Sequence, residues 1–239
     1  MSKNNIVLIS GKSKAGKSTS LRNLRDPEGV LYLNCESNKD LTFNHKFNER
    51  VITDPLLVPG YIENWESKPE IHTIIVDTLD FMMDQYESQY VLTASNSMKM
   101  WGEYAQFFKR LMQDKVAKSS KNIIFLAHTS DVLNESEMVS ETLVKVKGSL
   151  MNSGIESWFT TVIAAKKLPL TKVQAYSNSM LNITEDEELL GIKRVFQTRL
   201  TKDTVNERIT SKLGLWSKEE TFIDNDVQLV LDRLNEYYR

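Results

Sequence analysis

Gly11-Lys12-Ser13-Lys14-Ala15-Gly16-Lys17-Ser18-Thr19 carries the spacing GxxxxGK[ST]. Glycine at 11 and 16 lets backbone N–H groups curl around phosphate oxygens without a Cβ in the way. A helix opening near Gly16 would add unpaired N–H groups and the positive end of its dipole. Lys17 is then placed to reach the β- and γ-phosphates, and the Ser18 hydroxyl to meet Mg²⁺. The pattern therefore predicts a cradle for a nucleoside triphosphate over residues 11–19. A lysine-rich surface turn matches the same letters, and what separates the two is context: an apolar strand before the loop and a helix after it. Guanine recognition is not indicated. Asn38-Lys39-Asp40 lacks the residue that an Asn-Lys-x-Asp reader needs, and it comes too early in the chain. ATP with Mg²⁺ is the expected pair.

Three further residues stand where such a loop needs help. Asp77 ends the apolar run Ile74-Ile75-Val76-Asp77. A carboxylate at the C-terminal end of a parallel strand faces the crevice where ligands bind in open α/β sheets, and there it joins the Mg²⁺ shell. Thr78 and Asp80 are nearby alternates. Glu36 follows Val30–Asn34 toward the same sheet edge and is the candidate to orient an attacking water. His128 follows Ile123–Ala127, as a γ-phosphate sensor or as a satisfied structural histidine.

The elements that must hold these residues are legible as periodicities. Ile6–Ile9, Val30–Leu33, Ile71–Val76, Ile123–Ala127 and Phe159–Ala165 read as buried strands, with Val51-Ile52 a shorter one. A helix is expected over Lys17–Leu24, stopped near Asp26-Pro27-Glu28-Gly29. Tyr61–Trp65 reads as one or two helical turns, and Phe81–Leu92 as helical at its start. Met98–Val116 is the strongest helix: Trp101, Tyr104, Phe108 and Leu111 form a stripe that reads as core packing. Asp131–Ser140 is polar and reads as a surface loop. Val195–Leu200 and Val205–Ile209 read as a hairpin around Thr201-Lys202-Asp203-Thr204, although no Asn-Gly or Asp-Gly pair marks its turn. Thr184 with Glu187 forms a capping box before an acidic helix, and Asn225–Tyr238 is a closing helix. Continuous apolar strands alternating with helices predict an α/β fold with a mainly parallel central sheet covered on both faces.

Composition bounds the rest. The 239 residues are 41% hydrophobic, enough for one sizeable core, and a single domain is expected over 1–239 with a core of about 5–222. The formal net charge of −2 gives no chain-wide attraction for nucleic acid. Locally, between Thr142 and Ala175, Lys145, Lys147, Lys166, Lys167 and Lys172 stand against Glu156 alone. That excess suits backbone phosphates and suits a solvated face nearly as well. Trp158 or Phe159 would offer a base-stacking surface, but their strand context favours burial. Cys35 is the only cysteine, which rules out an internal disulfide, and three scattered histidines make no zinc array. Neither a leader pattern nor an apolar stretch of about 18 residues occurs, so a cytoplasmic protein off the membrane is expected, in the host cytoplasm if phage-encoded.

Taken in order, the phosphate loop, Leu31-Tyr32-Leu33-Asn34-Cys35-Glu36, Ile74-Ile75-Val76-Asp77-Thr78-Leu79 and Ile124-Phe125-Leu126-Ala127-His128-Thr129 resemble the RecA/RadA-like P-loop ATPases. Among them the chain is most similar to the small phage core-only single-strand annealing ATPases, over approximately Ile6–Phe222. The resemblance implies a RecA-like fold, with Glu36 as catalytic glutamate, Asp77 in the Mg²⁺ shell and His128 at the sensor position, where the family commonly has Gln or Asn. It implies a mobile DNA-binding loop over Thr129–Asn152, with Lys145 and Lys147 as candidate contacts. It also implies a basic finger reaching a neighbouring subunit's γ-phosphate, for which Lys166, Lys167, Arg199 and Lys202 are all candidates. No helical segment precedes Ile6 and no separate C-terminal domain is seen, so annealing is a more modest inference than full strand exchange.

The expected function is a single-stranded-DNA-dependent ATPase in recombination or annealing, acting as a homo-oligomer with single-stranded DNA and a single-strand-binding protein as partners. The alternatives are a small-molecule or nucleotide kinase, for which no arginine-rich lid is evident, and a non-hydrolysing nucleotide-dependent clamp.

Overall fold

A computed structural model describes residues 5–238. The leader-free reading of Met1–Asn4 lies outside the described residues. Nine strands form the sheet: β1 (Ile6–Gly11), β2 (Val30–Asn34), β3 (Asn48–Val51), β4 (Thr73–Asp77), β5 (Asn122–Asn134), β6 (Val139–Val144), β7 (Thr161–Pro169), β8 (Ile192–Gln197) and β9 (Phe222–Asp224). Their spatial order is β3-β2-β4-β5-β1-β7-β8-β9, with β6 paired to the outer half of β5. The first six strands in that order are mutually parallel. The β7-β8-β9 edge and the β5–β6 pair are antiparallel.

The inner parallel strands are buried on both faces, and this is why they read as unbroken apolar runs, whereas the edge strand β3 is polar and partly exposed. Alternation sends Leu8, Leu31, Leu33, Ile74, Val76 and Phe125 to one layer. There they meet α1 (Leu57–Glu66), α2 (Leu79–Tyr86) and α3 (Ser97–Arg110). Ile9, Tyr32, Ile75, Leu126 and Phe196 face the other layer, covered by Leu21 and α7 (Val227–Tyr237). The aromatic stripe of α3 is core, as its spacing predicts: Tyr104 and Phe108 are buried, and Asn96 caps the helix by accepting from Lys99 N at 3.0 Å. Three short helices, α4 (Ser149–Ser153), α5 (Leu170–Val173) and α6 (Glu185–Leu190), decorate the β6–β8 region. The capping box before α6 forms as expected, with Glu187 N donating to Thr184 Oγ1 and Thr184 N donating to Glu187 Oε2.

Three expectations are corrected. The helix after the phosphate loop is a 3-10 turn over Ser18–Leu21. Ser20 Oγ donates to Lys17 O at 2.5 Å, a local bond that competes with regular helix. Asp131–Ser140 is not a loop: it is most of a hairpin, the end of β5 with the start of β6. Polar cross-strand pairs hold it, Thr142 with Asp131 and Asn134 with Glu141, and a strand polar on both faces carries no period-two apolar signal. Val205–Ile209 forms no strand, because both edges of β8 are already occupied, by β7 and by β9. Residues 205–210 instead meet the sheet through the bridges Thr142–Glu207 and Val162–Thr210 and the ion pairs Lys166–Glu207 and Arg208–Glu141. Among the described residues, no helix is long and apolar enough to cross a membrane.

Candidate nucleotide site

The register of the parallel strands assembles the site at their C-terminal edge. Asn34 lies beside Asp77, Asp77 beside Leu126, and Gly11 beside His128. Glu36, two residues past Asn34, and His128, two past Leu126, therefore come out on either side of Asp77. Together with Ser13, Lys14, Gly16, Lys17, Ser18, Thr19 and Tyr32 they line one cleft of about 310 Å³. The residues that the sequence picks out separately for phosphate, metal, water and sensing thus share one space.

Gly11 is required for a reason the motif did not supply. A Cβ there would stand 2.4 Å from Ala165 O, so the glycine lets β1 and β7 approach at the loop entrance. Gly16 has a φ of +99°, a backbone state that side chains resist. Lys17 is buried, and its ammonium bridges the loop by donating to Gly11 O at 3.0 Å and Lys12 O at 3.1 Å. Burial pushes its pKa down to about 8, against the opposing pull of Asp80, Asp77 and Glu36. A cation held by two loop carbonyls keeps the loop open for an anion and is itself available to one.

Asp77 is 1% exposed. Its Oδ2 accepts from the Tyr32 hydroxyl at 2.8 Å. Ser18 lies close enough to hold the carboxyl's pKa down somewhat, yet Oδ1 has no partner at hydrogen-bond distance. Burial dominates and raises the carboxyl to about 6, with Glu36 adding to the rise and Tyr32, Ser18 and Lys17 opposing it. A buried carboxylate oxygen with no donor is a costly arrangement that a cation relieves. The donor set of one hydroxyl and one carboxylate fits Mg²⁺, which keeps most of its waters and takes few protein ligands.

Asp80, weighed as an alternate metal ligand, is engaged elsewhere. Its Oδ1 accepts from His128 N at 2.8 Å and its Oδ2 meets His128 Nδ1 at 3.0 Å. His128's hydrogen bonds and charge hold the Asp80 carboxyl below the usual range despite its burial. An ionised carboxylate only accepts, so Nδ1 carries the proton and Nε2 is the free nitrogen. Glu36 N donates to Asn34 Oδ1, while Glu36 Oε2 accepts from the exposed Lys39 at 2.9 Å. Tyr32, as the partner of Asp77, was not singled out in the sequence. Its signal was its polar tip within Leu31-Tyr32-Leu33, since a buried hydroxyl needs a partner.

The basic candidates are less uniform. Lys145 is exposed, and its N–H ties to His128 O at 2.8 Å. Lys147 is paired with Glu87, Lys166 with Glu207 at 2.5 Å, and Lys172 with Asp203 at 3.7 Å. Three of the five lysines of the basic stretch are thus partly neutralised in place. Lys167 and Lys202 are exposed and make no ion pair among the described residues. Arg199 donates to Trp216 O at 2.7 Å. Phe159 is buried against Phe125, and Trp158 is half-buried and edge-on to Phe108.

A protein-family model described as an AAA domain matches residues 3–203, a span that includes the phosphate loop, Glu36, Asp77 and His128. The chain belongs to that family of AAA-type P-loop ATPases, and the match supports nucleotide binding and ATPase activity. No curated protein matches the chain.

Proposed function

We propose that this AAA-domain chain is a Mg²⁺-dependent ATPase whose turnover is stimulated by single-stranded DNA, acting in recombination or strand annealing. The observation that carries this reading is the path of β5. It is one unbroken strand, buried over Ile123–Ala127, passing His128 in the cleft and ending in the exposed β5–β6 hairpin. Two bonds reinforce the link: Lys12 Nζ to Asp131 at 2.7 Å joins the phosphate loop to the hairpin, and Lys145 N joins the far strand's exit to His128 O. A polymer that loads the hairpin therefore acts on a residue beside the γ-phosphate position.

Ser18 and Asp77 would hold Mg²⁺, which when bound offsets charge on the β- and γ-phosphates. Lys17 exchanges its two loop carbonyls for phosphate oxygens, and its retained proton stabilises the transferring group. Glu36, with one carboxylate oxygen on Lys39, has the other to orient water for in-line attack. His128, its ring fixed by Asp80, presents Nε2 to the γ-phosphate side. A neighbouring copy supplies a further cation. Lys167 and Lys202 are better placed for that than Lys166, which Glu207 already holds.

Inorganic phosphate release, measured with and without single-stranded DNA over a salt series, tests the proposal. Mg²⁺-dependent release, stimulated by DNA and losing that stimulation as salt rises, is expected. Turnover indifferent to DNA, with no strand bound at low salt, would refute the DNA coupling. Nucleotide binding without phosphate release would favour the clamp.

A further inference from the structure

The residues at the metal end of the cleft come from β2, β4 and β5, all on one side of β1. On the other side, beyond β7, two polar groups close on the last glycine of the loop. A Cβ at Gly16 would stand 2.9 Å from Arg194 Cδ and 2.9 Å from Asn225 Oδ1. Arg194 is on β8, directly opposite Lys167 of β7. Asn225 is in the turn between β9 and α7.

This corner is built. Arg22 Nη1 donates to Asn225 O at 3.0 Å and to Thr19 O at 3.1 Å, and Asn23 Nδ2 donates to Asp226 at 2.6 Å. The β9–α7 turn is thereby fastened to the stretch that follows the phosphate loop. Asn225 is 5% exposed, yet its Nδ2 has no hydrogen-bond acceptor. Buried amide donors almost always find one. Arg194 is exposed and, alone among the described arginines, makes no hydrogen bond or ion pair. The other seven each have a partner. An unpaired guanidinium, a donor only, therefore stands beside the last glycine of a loop that binds phosphate, while the Asn225 amide turns Oδ1 to Gly16 and buries Nδ2.

We infer that Arg194 forms the nucleoside-proximal end of the nucleotide site in cis, its guanidinium on the α-phosphate, with the Asn225 amide packed beside it at Gly16. The inference rests on the nucleotide reading above and extends it. With the γ-phosphate near Asp77 and His128, a nucleotide crossing the loop leaves its other end at Gly16. A guanidinium is a fixed charge suited to phosphate oxygens. This contact is the same for a diphosphate and a triphosphate, so it holds substrate without favouring the reacting group.

The test is the affinity of Mg-ATP and Mg-ADP for the wild type, Arg194→Ala, Arg194→Lys and Lys17→Ala, with KM and kcat for each and melting curves for folding. Arg194→Ala should weaken both nucleotides alike, by roughly tenfold, the loss of one charged hydrogen bond. KM should rise with kcat held to within about twofold, because the contact is uniform. Arg194→Lys should recover part of the loss. Unchanged affinity in Arg194→Ala, or a loss confined to ATP, would overturn the assignment. The second result would move the arginine to the γ-phosphate. If the wild type binds neither nucleotide, the underlying site fails instead. If Lys17→Ala loses binding while Arg194→Ala does not, only this inference falls.

Discussion

Asp77 shows how burial does chemical work. Its carboxyl, raised to about 6, binds a proton more tightly in the folded chain than in the unfolded one. Without metal, the stabilisation from that proton is full below about pH 4 and disappears as pH rises through about 6, amounting to roughly 3 kcal/mol at most. Metal-free protein should therefore lose stability across that window, and Asp77→Asn should flatten the change; chemical denaturation at successive pH values reads it. Tyr32→Phe removes the one hydrogen bond to the buried carboxylate. It should cost about 1.5–3 kcal/mol at pH 7.5 and less at pH 5, where the acid is neutral. Equal losses at both pH values would mean that the hydroxyl serves packing alone. The residue types were legible because each sits at a fixed offset from an apolar run. The Asp80–His128 clamp was not, since the two are 48 positions apart and only the β4–β5 register joins them.

Among the elements, the inner parallel strands were legible because burial on both faces leaves an unbroken apolar signature. The hairpin at the end of β5 hid behind its polarity, and the pairing of β8 with β9 across 24 residues left no local trace. The hairpin is also where coupling is testable. Replacing residues 131–142 by a short turn removes the projecting half of the strand pair and leaves Ile123–Ala127 in the core. Mg-ATP binding should persist in that variant, while stimulation by single-stranded DNA should vanish. Stimulation equal to wild type would place the DNA surface elsewhere. A milder probe is Asp131→Asn, which breaks the pair with Lys12. That pair is exposed and worth at most about 1 kcal/mol, so the melting temperature should barely move while stimulation falls. By contrast Phe108→Ala, at 0% exposure in the α3 stripe, should cost about 3–5 kcal/mol in denaturant titrations.

For the whole molecule, the sheet does the assembling. Six parallel strands end at one edge, and the phosphate loop, Asp77, Glu36 and His128 meet there because strand register allows little else. If a neighbour's cation completes the site, specific activity should rise with protein concentration in step with assembly followed by light scattering. Lys167→Ala or Lys202→Ala should lower kcat while nucleotide affinity stays within about threefold, since such a cation acts mainly on the transition state. Activity per subunit that is flat across assembly would argue for a self-sufficient monomer. The phosphate-loop site itself is probed by calorimetric titration of Mg-ATP into wild type and Lys17→Ala. Wild type should bind one nucleotide per chain only when Mg²⁺ is present, and the folded variant should bind at least about a hundredfold more weakly, the loss of a buried charge-assisted contact. Metal-independent binding, or equal binding by the variant, would contradict it.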